Sequence, residues 1–235
     1  MHEPRTLEAN DTPLMREAHA RRSARRQARR AGVIALGKSC GWHWGHAVQV
    51  ARLARQLYAQ IPPPGEIILR PGPADEWLEY AALLHDIGYI IDIQKHHKHA
   101  ERLIREAKLP GLLPHEATII ALVVRCHRKR WPGPTHAVFR GLGQADYLTV
   151  QWLTALLRVA DGLDRTHMHV VRKIIVSDVA RYLDIGLVVA GQPESELWAA
   201  RKKSDLLESV LGHRVLFRVM ARRTPSPKEQ NHGAT

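Results

Sequence analysis

The sequence predicts a mainly α-helical protein: a helical bundle followed by a small α+β C-terminal appendage. Three observations carry this. Apolar residues recur at three- and four-residue spacing in successive stretches separated by Pro and Gly. β-branched residues concentrate after His169, as they do in strands. An Ala- and Arg-rich run with strong helix propensity opens the chain.

Taken in order, residues 1–12 are polar and read as a frayed tail. Thr12-Pro13 suits a helix start, with Pro at the first helical position. The run from Leu14 to about Lys38 then favours helix, and Arg21, Arg22, Arg25, Arg26, Arg29 and Arg30 give it a basic face. That face is either simply solvated or a docking surface for a polyanion. Gly41 breaks the helix, and a second runs from near Trp44 to Tyr58 or Gln60, apolar at Val48, Ala51, Leu53, Ala54 and Leu57. Pro62-Pro63-Pro64-Gly65 stops it. Asp75 reads as the cap of a strongly apolar helix from Glu76 to Tyr89. Further helices are expected from His99 to Ala107, Pro114 to His127 and Gln151 to Leu163. Strands are expected over 170–176 and 183–189, a helix from Glu194 to Leu211, and a last strand from His213 to Met220. Residues 224–235, with Pro225 and Pro227, read as disordered. The expected organisation is a basic arm over 1–24, a helical domain over 25–169, an α+β appendage over 170–222 and a tail over 223–235.

A hydrophobic fraction of 45% over 235 residues is ample for a buried core. The net charge of +12 and pI of about 10.2 favour anionic partners. Two cysteines form no disulfide framework, and no apolar run is long enough to span a bilayer or act as a signal peptide. A reducing, cytoplasmic setting without membrane attachment is expected. There is no zinc-finger spacing and no P-loop, and Ser39, Cys40 and Cys126 lack the partners of a nucleophilic triad.

The stretch Leu83-Leu84-His85-Asp86-Ile87-Gly88-Tyr89 stands out, because it sets a polar pair in an apolar helix. Such a pair alone also fits a satisfied core histidine beside a helix cap. The wider set changes the reading: His46, His85, Asp86, His99, His127 and Asp161 each sit near the end of an apolar helix. Inward-facing ligands from several helices are how bundles build metal sites. Asp86 could bridge two ions, with His46, His85 and Asp161 on one and His99 and His127 on the other. Imidazole and carboxylate donors suit one or two Mn, Mg, Fe or Zn ions, able to clamp a phosphate and activate water. His43, three residues from His46, is expected to be a neighbour rather than a ligand.

The order H…HD…H…H…D resembles the HD-domain superfamily of metal-dependent phosphohydrolases. The stretches HAVQVARLARQLY, AALLHDIGYII, HHKHAERLI, LVVRCHRKRWP, LLRVADGLDRTH and ELWAARKKSDLLESVLGHRVLF are similar to the C-terminal HD region of the exopolyphosphatase / guanosine pentaphosphate phosphatase (Ppx/GppA) family. The resemblance spans roughly residues 25 to 222 and implies a helical HD core with a strand-containing tail. By it, His46, His85, Asp86 and Asp161 match metal ligands. His99 and His127 match extra histidines, with His96 and His97 competing for the place of His99. Asp164, Arg165 and His167 fall where structural or phosphate contacts are expected. In that family polyphosphate hydrolysis belongs to actin-like N-terminal domains with Gly-rich phosphate loops. No such loop occurs in this sequence, so catalysis is expected from His85, Asp86 and their metals.

Lys95, Lys98, Arg125, Arg128, Lys129 and Arg165 adjoin these positions and are expected to bind phosphate. The expected function is hydrolysis of a phosphoester or phosphoanhydride in a nucleotide, guanosine polyphosphate or polyphosphate by metal-activated water. The alternative is a non-catalytic polyphosphate- or nucleotide-binding module serving a separate catalytic partner. A homodimer is plausible, and nucleic acid is a lesser candidate partner through the Arg-rich helix.

Overall fold

The computed structural model describes residues 13–179 and 181–220. The expectations for residues 1–12, 180 and 221–235, including both tails and the cap at Thr12, lie outside the described residues.

Helices dominate. They are α1 (Pro13–Ser39), α2 (Trp44–Gln60), α3 (Ala74–Leu84), α4 (His96–Glu106), α5 (Pro114–Cys126), α6 (Gln144–Gly162), α7 (Glu194–Lys203) and α8 (Asp205–Leu211). Strands β1 (Val171–Val179), β2 (Tyr182–Val189) and β3 (Arg214–Val219) form one sheet in that order. β1 and β2 pair antiparallel, and β2 and β3 pair parallel, with α7 and α8 as the crossover. No helix among the described residues is long and apolar enough to cross a membrane.

α2, α3, α5 and α6 pack the core through side chains such as Leu53, Leu57, Leu84, Ile120 and Leu156, all fully buried. The sheet shares this core through Ile174, Ile185 and Leu187. It is also fastened to α2 by amide side chains. Gln56 Oε1 accepts from Ile174 N at 2.8 Å, and Gln60 donates to Ile174 O at 3.1 Å and accepts from Val176 N at 3.0 Å. These amides satisfy backbone groups on the outer edge of β1, as a further strand would.

Several boundaries differ from the sequence expectation, each for a physical reason. The helix expected over 76–89 ends at Leu84, and the chain tightens into a 3-10 turn over Ile87–Ile90. Gly88 explains the change: a Cβ there would lie 2.0 Å from the His96 carbonyl oxygen, so only glycine lets α4 come this close. Asp75 lies in the first turn of α3, and Pro73 takes the cap position. α4 begins at His96 because His96 and His97 supply its buried face, a role that apolar periodicity does not register. α6 starts at Gln144, since its first turn is polar with Asp146 inside it. The single helix expected over 194–211 breaks at Ser204, whose hydroxyl donates to Arg201 O at 2.9 Å.

α1 lies across the N-terminal ends of α3 and α5, and three of the six arginines of its basic face, Arg26, Arg29 and Arg30, pair with carboxylates of the bundle. Arg29 is buried and donates to Glu116 Oε2 and to Gly111 O, both at 2.8 Å. Arg30 donates to Glu79 at 2.8 Å. Glu116 also accepts from Trp77 Nε1 at 3.1 Å and from Leu113 N at 2.8 Å, so this buried carboxylate is fully paired. A cavity of about 760 Å³ lies beside these pairs, at the N-terminal ends of α3 and α5. The histidines stand at the opposite ends of the same two helices.

Candidate metal centre

His85 and Asp86 follow the last turn of α3, His127 caps the end of α5, His96 opens α4, His46 lies in the first turn of α2, and Asp161 sits near the end of α6. Five separate helix ends therefore meet. Asp86 is the centre of the arrangement. Its Oδ2 faces His85 Nε2 at 3.3 Å and His46 Nε2 at 3.8 Å. Its Oδ1 faces His96 Nε2 at 3.2 Å and His127 Nε2 at 3.8 Å. Asp161 Oδ1 adds to the first group, 3.7 Å from His46 Nε2 and 4.0 Å from His85 Nε2. Two clusters with metal-ligating donors result, His46/His85/Asp86 and Asp86/His96/His127, joined by one carboxylate.

The other ring nitrogens are engaged by the protein. His46 Nδ1 meets the fully buried Asp164 carboxylate at 2.8 Å. His85 Nδ1 meets Ala82 O at 2.7 Å, His127 Nδ1 meets Val124 O at 2.6 Å, and His96 Nδ1 meets Ile93 O at 2.9 Å. Arg128 also lies 3.0 Å from His96 Nδ1. At His46 and His85 an acceptor at Nδ1 favours a proton there and turns Nε2 to the site. At His96 the Arg128 guanidinium, which can only donate, competes with Ile93 O for Nδ1, and His96 Nε2 lies 3.3 Å from His127 Nε2. The three carbonyls are each three residues upstream, in the last helical turn for His85 and His127 and in the turn before α4 for His96, so the local backbone orients the ring.

The fit to a cation can be tested on the donors. His85 Nε2 is buried and makes no hydrogen bond. A buried nitrogen between two carboxylates calls for positive charge there, which either a proton or a metal ion supplies. Charge tells the same story. Burial works against charge on Asp86, but His85, His96 and His127 outweigh it and hold the carboxyl well below the usual range. Burial likewise opposes charge on Asp161, and Lys203, His85 and His127 outweigh it. His85 loses basicity by burial, yet Asp86 and Asp161 lift it to about 9, so without an ion its Nε2 holds a proton that an incoming cation would have to displace. His127, buried and beside His85, is held well below the ordinary histidine range. These groups have the chemistry to hold a divalent ion.

Among the residues singled out from sequence, His46, His85, Asp86, His127 and Asp161 come together. His99 does not: its nearest acidic group is Asp92, at 4.0 Å, and His96 takes the expected place beside Asp86. The reason is helical phase. His96 shares a face with buried Ala100 and Ile104, whereas His99 is turned away from it. His43 is a neighbour, its Nδ1 accepting from His46 N at 3.3 Å.

A cavity of about 550 Å³ opens onto the cluster. Of the cations expected to bind phosphate, Arg128, Lys129 and Arg165 line it. Lys95 and Lys98 are exposed and outside the lining, and Arg125 pairs instead with Glu101 at 3.5 Å. The sequence reading missed Arg158, Trp198, Lys202 and Lys203, which also line the cavity. Three of these belong to α7, a stretch that the family resemblance included without giving it a role at the site. The loop after α6 adds His167, stacked on His46 with ring centroids 3.8 Å apart. His167 and His169 both have positive φ, at 60° and 53°. Asp164 Oδ1 accepts from His169 N at 3.0 Å, and Glu196 accepts from Thr166 N at 3.0 Å, which holds this strained loop in place.

The fold and site define a class: a helical bundle whose helix ends carry two His/Asp clusters sharing one aspartate, with an α+β module against one wall. Sequence comparison narrows the class. The profile of Ppx/GppA phosphatase, domain III, matches residues 28–185, and the chain belongs to that family. Over 83 residues it is 31% identical to a guanosine-5'-triphosphate,3'-diphosphate pyrophosphatase of Pseudoalteromonas translucida (strain TAC 125). Over 82 residues it is 35% identical to the protein of the same name from Vibrio cholerae serotype O1. Each alignment covers 35% of this chain and 16% of the relative, so the match spans about a sixth of those proteins.

Proposed function

We propose that the chain is a metal-dependent phosphohydrolase of the HD type, cleaving a phosphoester or phosphoanhydride of a guanosine polyphosphate or polyphosphate. One observation carries the reading: Asp86 turns one oxygen to each of two His clusters whose Nδ1 atoms are all engaged by the protein. In this reading His46, His85, Asp86 and Asp161 hold one divalent cation, and Asp86, His96 and His127 hold a second. Such cations supply Lewis acidity toward a phosphoryl oxygen and acidify a nearby water. The chain's own residues do the rest. Arg128, Lys129 and Arg165 neutralise and orient phosphate oxygens in the cavity. Asp164 keeps the His46 tautomer. The family supports the phosphohydrolase class, and the relatives' names support a guanosine polyphosphate among the substrates.

A panel of guanosine pentaphosphate, pyrophosphate and polyphosphate with Mn²⁺ or Mg²⁺ tests this. Wild-type protein should hydrolyse at least one, and Asp86→Ala should lose about three orders of magnitude or more, as when a principal electrostatic stabiliser is removed. A metal-loaded wild type inert on all three would end the enzyme reading. The cationic lining of the cavity also fits a second reading, a polyphosphate- or nucleotide-binding module that serves a separate catalytic partner. Under it, polyphosphate binds equally well in EDTA, and affinity falls steeply with salt.

A further inference from the structure

α7 enters the metal centre through one side chain. Lys203, its last residue, sets Nζ against Asp161 Oδ2. The other oxygen of that carboxylate faces His46 Nε2 at 3.7 Å and His85 Nε2 at 4.0 Å. Asp161 is therefore shared between the imidazoles and an ammonium. Its side chain is only 14% exposed, and a carboxylate so buried needs a counter-charge.

We propose that Lys203 is a tethered cation with two stations: it neutralises Asp161 in the metal-free site, cedes that carboxylate to an incoming divalent cation, and then binds a phosphoryl oxygen of the substrate. This rests on the metal-dependent reading given above, and deepens it by assigning a residue to both metal uptake and phosphate binding.

The geometry separates a fixed root from a mobile head. At Gly162 a Cβ would come within 2.9 Å of the Ala200 backbone, so α6 and α7 are in direct contact next to Asp161. The root of Lys203 is thereby held relative to Asp161. Beyond it lies a flexible four-carbon stem, 28% exposed, whose head lines the 550 Å³ cavity. Its cationic neighbours differ. Arg158 is tied to Asp205 at 2.7 Å and to the Lys129 carbonyl. Lys202 sits over the Trp198 ring, 4.9 Å from its centroid. Of these three cations, Lys203 alone contacts a candidate metal ligand.

Electrostatics gives the sequence of events. An ammonium and a divalent cation on one carboxylate repel each other, so the metal binds against the lysine. Once displaced, the ammonium faces the cavity, where it makes a charge-assisted hydrogen bond to phosphate. No covalent bond forms or breaks in this exchange. The C-terminal module thus supplies a working group to the centre built by the bundle.

Calorimetric titration of the purified full chain with Mn²⁺, then with inorganic phosphate, tests the proposal. Lys203→Met should bind Mn²⁺ about tenfold tighter than wild type. Lys203→Arg keeps the charge and should stay within about threefold of wild type. With Mn²⁺ present, Lys203→Met should weaken phosphate binding about 10- to 100-fold, whereas in EDTA the two proteins should bind phosphate alike. Thermal melts run in parallel check folding, with Lys203→Gln replacing the Met variant if that one is misfolded. Unchanged or weaker Mn²⁺ affinity in Lys203→Met overturns the two-station role, as does equal loss of phosphate binding with and without Mn²⁺. A wild type that binds no Mn²⁺ overturns the metal-centre reading and this proposal together. Mn²⁺ binding that is indifferent to residue 203 sinks this one alone.

Discussion

His96 and His99 are three positions apart, and one faces Asp86 while the other does not. Two single variants make that difference measurable. His96→Ala should remove one of two bound Mn²⁺ ions by metal analysis, and His99→Ala should leave the count unchanged. Asp164 acts one step further out. It carries no metal in the proposed site but holds His46 Nδ1 at 2.8 Å. Asp164→Asn can present its amide N–H to that nitrogen and so favours the wrong tautomer. Outer partners of this kind are worth about 10- to 100-fold in metal affinity, and a loss of that size is expected in a Mn²⁺ titration.

Helix ends, rather than helix faces, carry the chemistry at the next scale. α3 and α5 bring histidines to one end of the bundle while Glu76 and Glu116 hold α1 at the other. Glu116→Ala would take from the buried Arg29 its nearest carboxylate, leaving Glu76 at 3.6 Å and Gly111 O, and would leave Trp77 Nε1 without its acceptor. A destabilisation of about 1–3 kcal/mol is expected in denaturant unfolding, with bound metal ions unaffected in number. Tyr80 belongs to the same network, donating to Glu76 at 3.2 Å. Burial first, and then the Glu76 charge, raise its phenol above the ordinary value of 10.0. Its folded pKa exceeds the unfolded one, so its contribution is complete below pH 10 and is lost as pH rises beyond that. Tyr80→Phe should therefore flatten the alkaline limb of the stability curve. At the junction of α3 and α4, Gly88→Ala would drive a methyl into the His96 carbonyl. About 1–3 kcal/mol of stability should be lost, together with metal binding at the His96 cluster.

Across the whole molecule, bundle and sheet share one core, and α7 forms one wall of the cavity. Removal of the segment that follows α6 would strip Lys203 from Asp161 and Gln56 and Gln60 from β1. Gln56→Ala together with Gln60→Ala tests the fastening less drastically, with about 1–3 kcal/mol of stability expected to go.

The helical class, the strand-bearing tail and most of the cluster were legible along the chain. Apolar periodicity marks buried faces, and an HD pair inside such a face is chemically conspicuous. That legibility stopped where spacing ceased to report position. Periodicity could not start α4 at His96, because the residues that bury its first turn are themselves polar. The phase of His96 against Ala100 and Ile104 could have been drawn once that start was known.

The order and character of most helices follow from the amino-acid sequence alone, because local periodicity is encoded locally. Residue chemistry with the family resemblance singles out His46, His85, Asp86, His127 and Asp161, together with His99, as candidate ligands. The engagement of Arg29 and Arg30 within the fold and the arrival of Lys203 at Asp161 belong to packing. Each depends on how two helices distant in sequence approach and rotate against each other, and no local pattern in the chain records that.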